Sequence, residues 1–170
     1  MPEISVRPMT DAEFAALRPR MVREYAADRV RAGDWDPADA ERLAAESHDQ
    51  LLGAGVRTPG MLLLVAEAPG GDPVGHLWLA LERAPGTAGA WIYDIEIAPE
   101  RRGQGFGRAL LHAAEVEAAR HGAASIGLNV FGTNDVARRL YQSAGYRVAT
   151  MQMNKDLAGV AETLEPPASL

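Results

Sequence analysis

Three glycines alternate in the segment Ile97-Ala98-Pro99-Glu100-Arg101-Arg102-Gly103-Gln104-Gly105-Phe106-Gly107-Arg108, and they constrain the local backbone more than any other feature of the chain. Ahead of them, Ala90-Trp91-Ile92-Tyr93-Asp94-Ile95-Glu96-Ile97 reads as a long strand. Behind them, Phe106, Leu110, Leu111 and Ala114 mark one face of a helix that Gly122 closes. The junction is therefore strand, loop, helix. Its glycines leave backbone N–H groups unobstructed at a helix N-terminus, where those donors and the helix dipole attract anions. Arg101, Arg102 and Arg108 put fixed charges around this cradle, and guanidinium suits phosphate geometry. Two familiar phosphate patterns are absent. A dinucleotide fingerprint starting at Gly103 needs glycine or alanine where Arg108 stands, and a Walker loop needs Gly-Lys-Ser/Thr.

This basic cluster sits in an acidic chain, with 17 Lys+Arg against 23 Asp+Glu and a net charge of −6. A nucleic-acid partner, which needs a basic stripe, is not expected. Lys155 is the only lysine among the 17 basic residues, so lysine-based phosphate or Schiff-base chemistry has one late candidate at most. With no cysteine, disulfides, Cys-based zinc sites and thiolate catalysis are excluded, and the composition is compatible with a reducing cytoplasm. His48, His112 and His121 have no metal-ligand spacing to carboxylates, and no metal site is predicted. The N-terminus lacks a basic and apolar leader, and no run of about 18 apolar residues occurs. The expectation is a cytoplasmic protein without a membrane partner.

The length of 170 residues allows one domain, expected over 1–157 with a flexible tail over 158–170. Ile4 to Arg7 predicts a strand, and Thr10-Asp11-Ala12-Glu13 a capping box that starts a helix running to Gly33, with a break or bend at Pro19. Asp36-Pro37 predicts the start of a second helix that ends at Gly53 and Gly55. Strands follow at Met61–Ala68 and Val74–Leu81 around the turn Pro69–Pro73, then a loop over Gly86–Gly89 before Ala90–Ile97. After the glycine helix come a strand Ser125–Phe131, a helix Asn134–Ser143 and a final strand Tyr146–Asn154. The fold class is α+β (mixed α/β), a mostly antiparallel sheet with one parallel pair around the glycine helix.

Two blocks together resemble the GNAT superfamily of acetyl-CoA-dependent N-acetyltransferases. Arg102-Gly103-Gln104-Gly105-Phe106-Gly107, led in by Ile97-Ala98-Pro99-Glu100-Arg101, matches that family's pyrophosphate signature. Asn134-Asp135-Val136-Ala137-Arg138-Arg139-Leu140-Tyr141 with Gly145-Tyr146 matches its second block. The resemblance covers roughly Ile4 to Asn154 and implies a GNAT-like acyl-CoA N-acyltransferase fold, with acetyl-CoA as co-substrate. It implies splayed parallel strands with a β-bulge near Glu96, backbone groups of Ile95 and Ile97 pairing with the pantetheine arm, and an Ile97 N–H aimed at the thioester oxygen. Ala98 and Arg102 through Arg108 (Gly103, Gln104, Gly105, Phe106 and Gly107 between them) would bind the coenzyme, joined by Asn134, Ala137 and Tyr141, with Tyr141 protonating the leaving thiolate. Homodimers are common in the superfamily.

Asn134 and Tyr141 lie seven residues apart, so both are expected on one helix face with Ala137 between them. Asp94 and Glu96 share a strand face opposite Ile95 and Ile97, so either carboxylate could take the acceptor's proton, directly or through water, with Glu96 favoured for its nearness to Ile97. His76 shares its strand face with Trp78, and Tyr25 and Trp35 could wall an acceptor pocket suited to a cationic or peptide-like amine. The expected activity is direct acetyl transfer to a primary amine of a small molecule or peptide. An acetyl-cysteine relay is impossible on a chain without cysteine. The rivals are a noncatalytic acyl-CoA-binding regulatory domain and a structural α/β module. The resemblance specifies neither the amine nor whether acyl groups other than acetyl are used.

Overall fold

The computed structural model describes residues 1–84, 87–155 and 157, so the tail expected over 158–170 lies outside the described residues. Its order is β1 (Ser5–Pro8), α1 (Asp11–Arg31), α2 (Ala40–Leu51), β2 (Met61–Glu67), β3 (Pro73–Ala84), β4 (Thr87–Ile97), α3 (Phe106–Arg120), β5 (Ser125–Leu128) and α4 (Asp135–Ser143). The five strands form one sheet in sequence order. Every pairing is antiparallel except β4 with β5, the parallel pair expected around α3. No helix among the described residues is long and apolar enough to cross a membrane.

The sheet has a buried layer on each face. Leu64, Ala66, Val74, Leu77 and Leu79 pack with Ala90, Ile92 and Ile97 against Phe106, Leu110, Leu111 and Ala114 of α3. Leu63, Val65 and Trp78 pack on the other face with Met21 of α1 and Leu52. Alternation along β2 and β3 therefore feeds two cores, which is why both strands read as nearly continuous apolar runs.

Helix α1 begins as its capping box dictates: the Glu13 N–H donates to Thr10 Oγ1 (3.2 Å) and the Thr10 N–H to Glu13 Oε2 (2.8 Å). It then runs through Pro19 without the expected break. Pro19 and Ala15, whose carbonyl loses its helical partner, are both exposed, so water can take over that bond. The second helix starts later than expected, at Ala40. Asp36 instead closes a local turn by accepting from the Ala38 N–H at 2.8 Å. Similarly, β4 begins at Thr87, inside the loop expected to Gly89.

Two differences bear on the site. First, the strand expected at Tyr146–Asn154 is absent, and β5 ends at Leu128 rather than Phe131. Tyr146 still packs against the α3-side core, but the residues after it pair with no strand among the described residues. Val148, Met151 and Met153 are exposed. Second, the bulge lies at Tyr93, not near Glu96: Trp78 pairs with Asp94 but Leu79 with Ile92. The extra residue is held by stacking of Tyr93 on Trp78, with ring centroids 4.8 Å apart. Its effect is a change of phase. Ala90 and Ile92 face the α3 core, and without the bulge Asp94 and Glu96 would follow them into it. With it, Ile95 and Ile97 take the core side and both carboxylates turn toward α1.

Candidate active site

The wedge follows from unequal strand lengths. Pairing with β5 covers only Gly89–Ile92, while β4 continues to Ile97, so among the described residues Tyr93–Ile97 has no strand along its outer edge. The Ala98 N–H bonds inward to the Val74 carbonyl at 2.9 Å. By the alternation of an antiparallel ladder, the backbone groups of Ile97 and Ile95 therefore face outward into the opening.

At the end of this edge a short turn at Pro99–Arg101 leads into the glycine loop. Gly103 and Gly105 have φ of +74° and +87°, the left-handed region where glycine is at ease, and Gly105 is the N-cap of α3. The first helical bond runs from the Ala109 N–H to the Gly105 carbonyl, so the N–H groups of Phe106, Gly107 and Arg108 are not used by the helix. Gly107 serves packing, since a Cβ there would stand 3.4 Å from Leu140 of α4. A Cβ on Gly103 would meet nothing within 4 Å, so the loop is open on that side. Free donors, a helix N-terminus and an unpaired strand edge fit a ligand with a pyrophosphate and an extended amide arm.

The expected arginines are divided among neighbours. Arg102 Nε donates to the Ile97 carbonyl (3.0 Å) and Nη2 to Glu96 (2.9 Å), Arg108 donates to Ser143 Oγ (2.6 Å), and Arg101 lies 3.6 Å from Asp72. Gln104 donates to the Glu100 carbonyl, and the Phe106 ring is buried in the core, leaving its backbone for the cradle. Asn134 is not a residue of the helix face. It is the N-cap of α4, its Oδ1 accepting from the Ala137 N–H at 3.1 Å, so only its Nδ2 is free to donate to a ligand. It also lines a cleft of about 350 Å³ with Phe131 and Thr133 and with Asp28 and Arg31 of α1. Tyr141 packs against the α3-side core, where burial and then the Asp94 charge push its phenol above the ordinary value, so its proton stays in place.

On the α1 face the polar groups sort into pairs. Both Glu96 oxygens are engaged, by Arg20 (3.0 Å) and Arg102 (2.9 Å). Asp94 Oδ2 lies 2.8 Å from Nε2 of His76, itself 6% exposed. Glu24 of α1 faces the same groups, and burial, then Glu96 and Asp94, raise its proton affinity. An aromatic row closes the side: Trp35 edge-on to Tyr25 (5.4 Å), Tyr25 to His48 (6.0 Å), His48 to Trp78 (5.3 Å), and Trp78 stacked on Tyr93. Arg20 and Glu24 escaped the sequence reading. Their i, i+4 spacing puts them on one helix face, but no motif marks that face as the one turned to β4.

Residues 18–146 match the family model described as the acetyltransferase (GNAT) family. The uncharacterized N-acetyltransferase YycN of Bacillus subtilis is 32% identical over 91% of this chain and 99% of its own. The crystal structure of YycN superposes with a TM-score of 0.88, over the same shares of the two chains. YdgE of Bacillus subtilis, also an uncharacterized N-acetyltransferase, is 27% identical over 88% of this chain and 95% of its own. The mycothiol acetyltransferase of Kytococcus sedentarius is 29% identical over 90% of this chain but only 49% of its own length.

Proposed function

Since the chain belongs to the GNAT acetyltransferase family and is a GNAT-type N-acetyltransferase, we propose that it passes the acetyl group of acetyl-CoA directly to a primary amine of a small molecule or peptide, both substrates being bound together. The observation that carries this reading is the β4 edge Tyr93–Ile97, unpaired among the described residues, running into the N-terminus of α3, whose first N–H groups the helix does not use.

Acetyl-CoA supplies an activated thioester. Gly103, Gly105 and the N–H groups of Phe106, Gly107 and Arg108 would hold its pyrophosphate, with Arg102 and Arg108 adding charge at the cost of their present partners. The outward backbone groups of Ile95 and Ile97 would pair with the pantetheine amides, and the Ile97 N–H would stabilise the oxyanion that forms when the amine attacks. Ala98, Ala137 and the Asn134 Nδ2 complete the coenzyme side. Tyr141 serves the departing thiolate, and Asp94 or Glu96 takes the ammonium proton. Glu24 and Asp94, with an aromatic row on the acceptor face, suit a cationic amine. The domain over 1–157 and a cytoplasmic location belong to the same reading.

Isothermal calorimetry with acetyl-CoA tests it. The wild type should bind, and Gly105→Glu should abolish binding by placing a β-carbon at positive φ and a negative charge in the cradle. No heat from the wild type at millimolar ligand would end the reading, and retained affinity in the variant would move the phosphate site elsewhere.

A further inference from the structure

We propose that His76 is a positioning residue for Asp94, and that this pair makes Asp94, rather than Glu96, the carboxylate that takes the acceptor's proton. The proposal rests on the N-acetyltransferase reading above and deepens it.

The register sets the puzzle. His76 lies directly opposite Glu96, and Asp94 opposite Trp78. Yet the imidazole reaches diagonally to Asp94 at 2.8 Å, while Glu96 is taken by two guanidiniums, Arg20 from α1 and Arg102 from the glycine loop. Each Glu96 oxygen is thus occupied by a guanidinium, and neither is left open to an incoming amine. Asp94 has a neutral-capable partner on one oxygen only, and its side chain is 33% exposed toward the acceptor face. Its Oδ1 has no protein partner among the described residues. His76 is buried in the sheet between Gly75 and Leu77, so its ring has little freedom and fixes the rotamer of Asp94 through one N–H donor.

The charges facing this pair agree. From α1 come Glu24 and Arg20, from β4 Glu96, from the loop Arg102, and from α4 the protonated Tyr141, whose phenol feels the Asp94 charge. Glu24 and Asp94 together draw an ammonium to the end of the wedge, and Glu96, neutralised by its arginines, acts as a strut between α1 and the glycine loop. The proton step is balanced within the site. R–NH3+ gives one proton to Asp94 Oδ1, leaving the lone pair on nitrogen for attack and a neutral carboxyl that later returns the proton to water. The His76 Nε2–H donates to Oδ2 throughout.

The test has two arms. In the kinetic arm, the pH profile of kcat/KM is measured for the wild type and for His76→Leu, His76→Gln, Asp94→Asn and Glu96→Gln with an amine that the wild type acetylates. Removing the donor should raise the pKa of the acidic limb in His76→Leu and cut kcat about tenfold, with the KM for acetyl-CoA within about twofold. His76→Gln, whose amide can still donate to Asp94, should recover most of the loss. Asp94→Asn should cost about a hundredfold or more and erase the acidic limb, which Glu96→Gln should retain. The idea is overturned if Glu96→Gln erases the limb and Asp94→Asn does not, or if the Leu and Gln variants are equally impaired with the limb unmoved. The second arm needs no acceptor. Nitrogen-15 NMR of the folded wild type should show a proton on His76 Nε2, and Asp94→Asn should move that N–H resonance by removing its charged acceptor. An Nε2–H resonance that does not move would sink the pairing. A wild type that acetylates none of a broad amine panel would instead sink the acetyl-transfer reading.

Discussion

Tyr141 shows how a single side chain is tuned by its surroundings. A phenol near 10 already holds its proton more tightly than a thiol near 8.5, and burial beside Asp94 widens that gap. Full transfer to a thiolate is thus uphill by more than about 2 kcal/mol, so in the proposed reaction the O–H would first stabilise the departing sulfur as a hydrogen-bond donor and complete the transfer late. Tyr141→Phe should lower kcat about 10–100-fold with acetyl-CoA affinity within about twofold; single-turnover kinetics with calorimetry decide it, and unchanged turnover removes the role. Gly75 was not singled out in the sequence, though a glycine inside a strand signals a close backbone approach. A Cβ there would overlap the Glu96 carbonyl oxygen, so Gly75→Ala must part β3 from β4 beside His76 and Glu96. The expected cost is about 1–3 kcal/mol, read by thermal melting. The glycines of the loop were legible because a ligand-sized anion demands a motif; Gly75 was not, because its reason lies on another strand.

At the scale of elements, α1 joins the two halves of the site. Its inner face carries Arg20, Glu24 and Tyr25 toward the sheet, while Pro19 sits on the exposed side. Pro19→Ala should restore one helical bond and relieve the ring's clash, for a net gain of about 1–2 kcal/mol after the larger entropy of the unfolded chain is subtracted. A Tm rise of about 2–8 °C in calorimetric scans is expected, and an unchanged Tm would mean the helix is bent around the proline at no cost. Caps, turns and the α3 periodicity made most elements legible, since each is a local signal. The bulge was placed near Glu96 instead of at Tyr93, and a last strand was expected over 146–154, because pairing is not local: Val148, Met151 and Met153 are exposed with no strand beside them among the described residues.

Across the whole molecule, the two cores differ in what titrates within them. The α3-side core takes in two phenols, Tyr141 and Tyr146, which burial keeps protonated, whereas the α1 and α2 side encloses His48, which burial and then Arg18 hold below its ordinary pKa. The folded protein therefore binds that proton less readily than the unfolded chain, whose histidine titrates near 6.5, so stability from His48 is present above that pH and is lost as the pH falls below it. Glu24 works oppositely: its raised pKa favours the fold at acid pH, and that contribution fades as the pH rises above 4.5. Chemical denaturation between pH 7 and 5 should show the wild type losing stability faster than His48→Gln, and parallel profiles would exclude His48 as the source. By itself the sequence determined the glycine turn at a helix N-terminus, the α+β class, the family and the lack of any cysteine for a relay, because these depend on residue type and short spacing. Only the tertiary structure decided which carboxylate is tied to arginines and which to histidine, and that a bulge turns both to the α1 face, because those outcomes depend on the register between strands and on a helix packed across them.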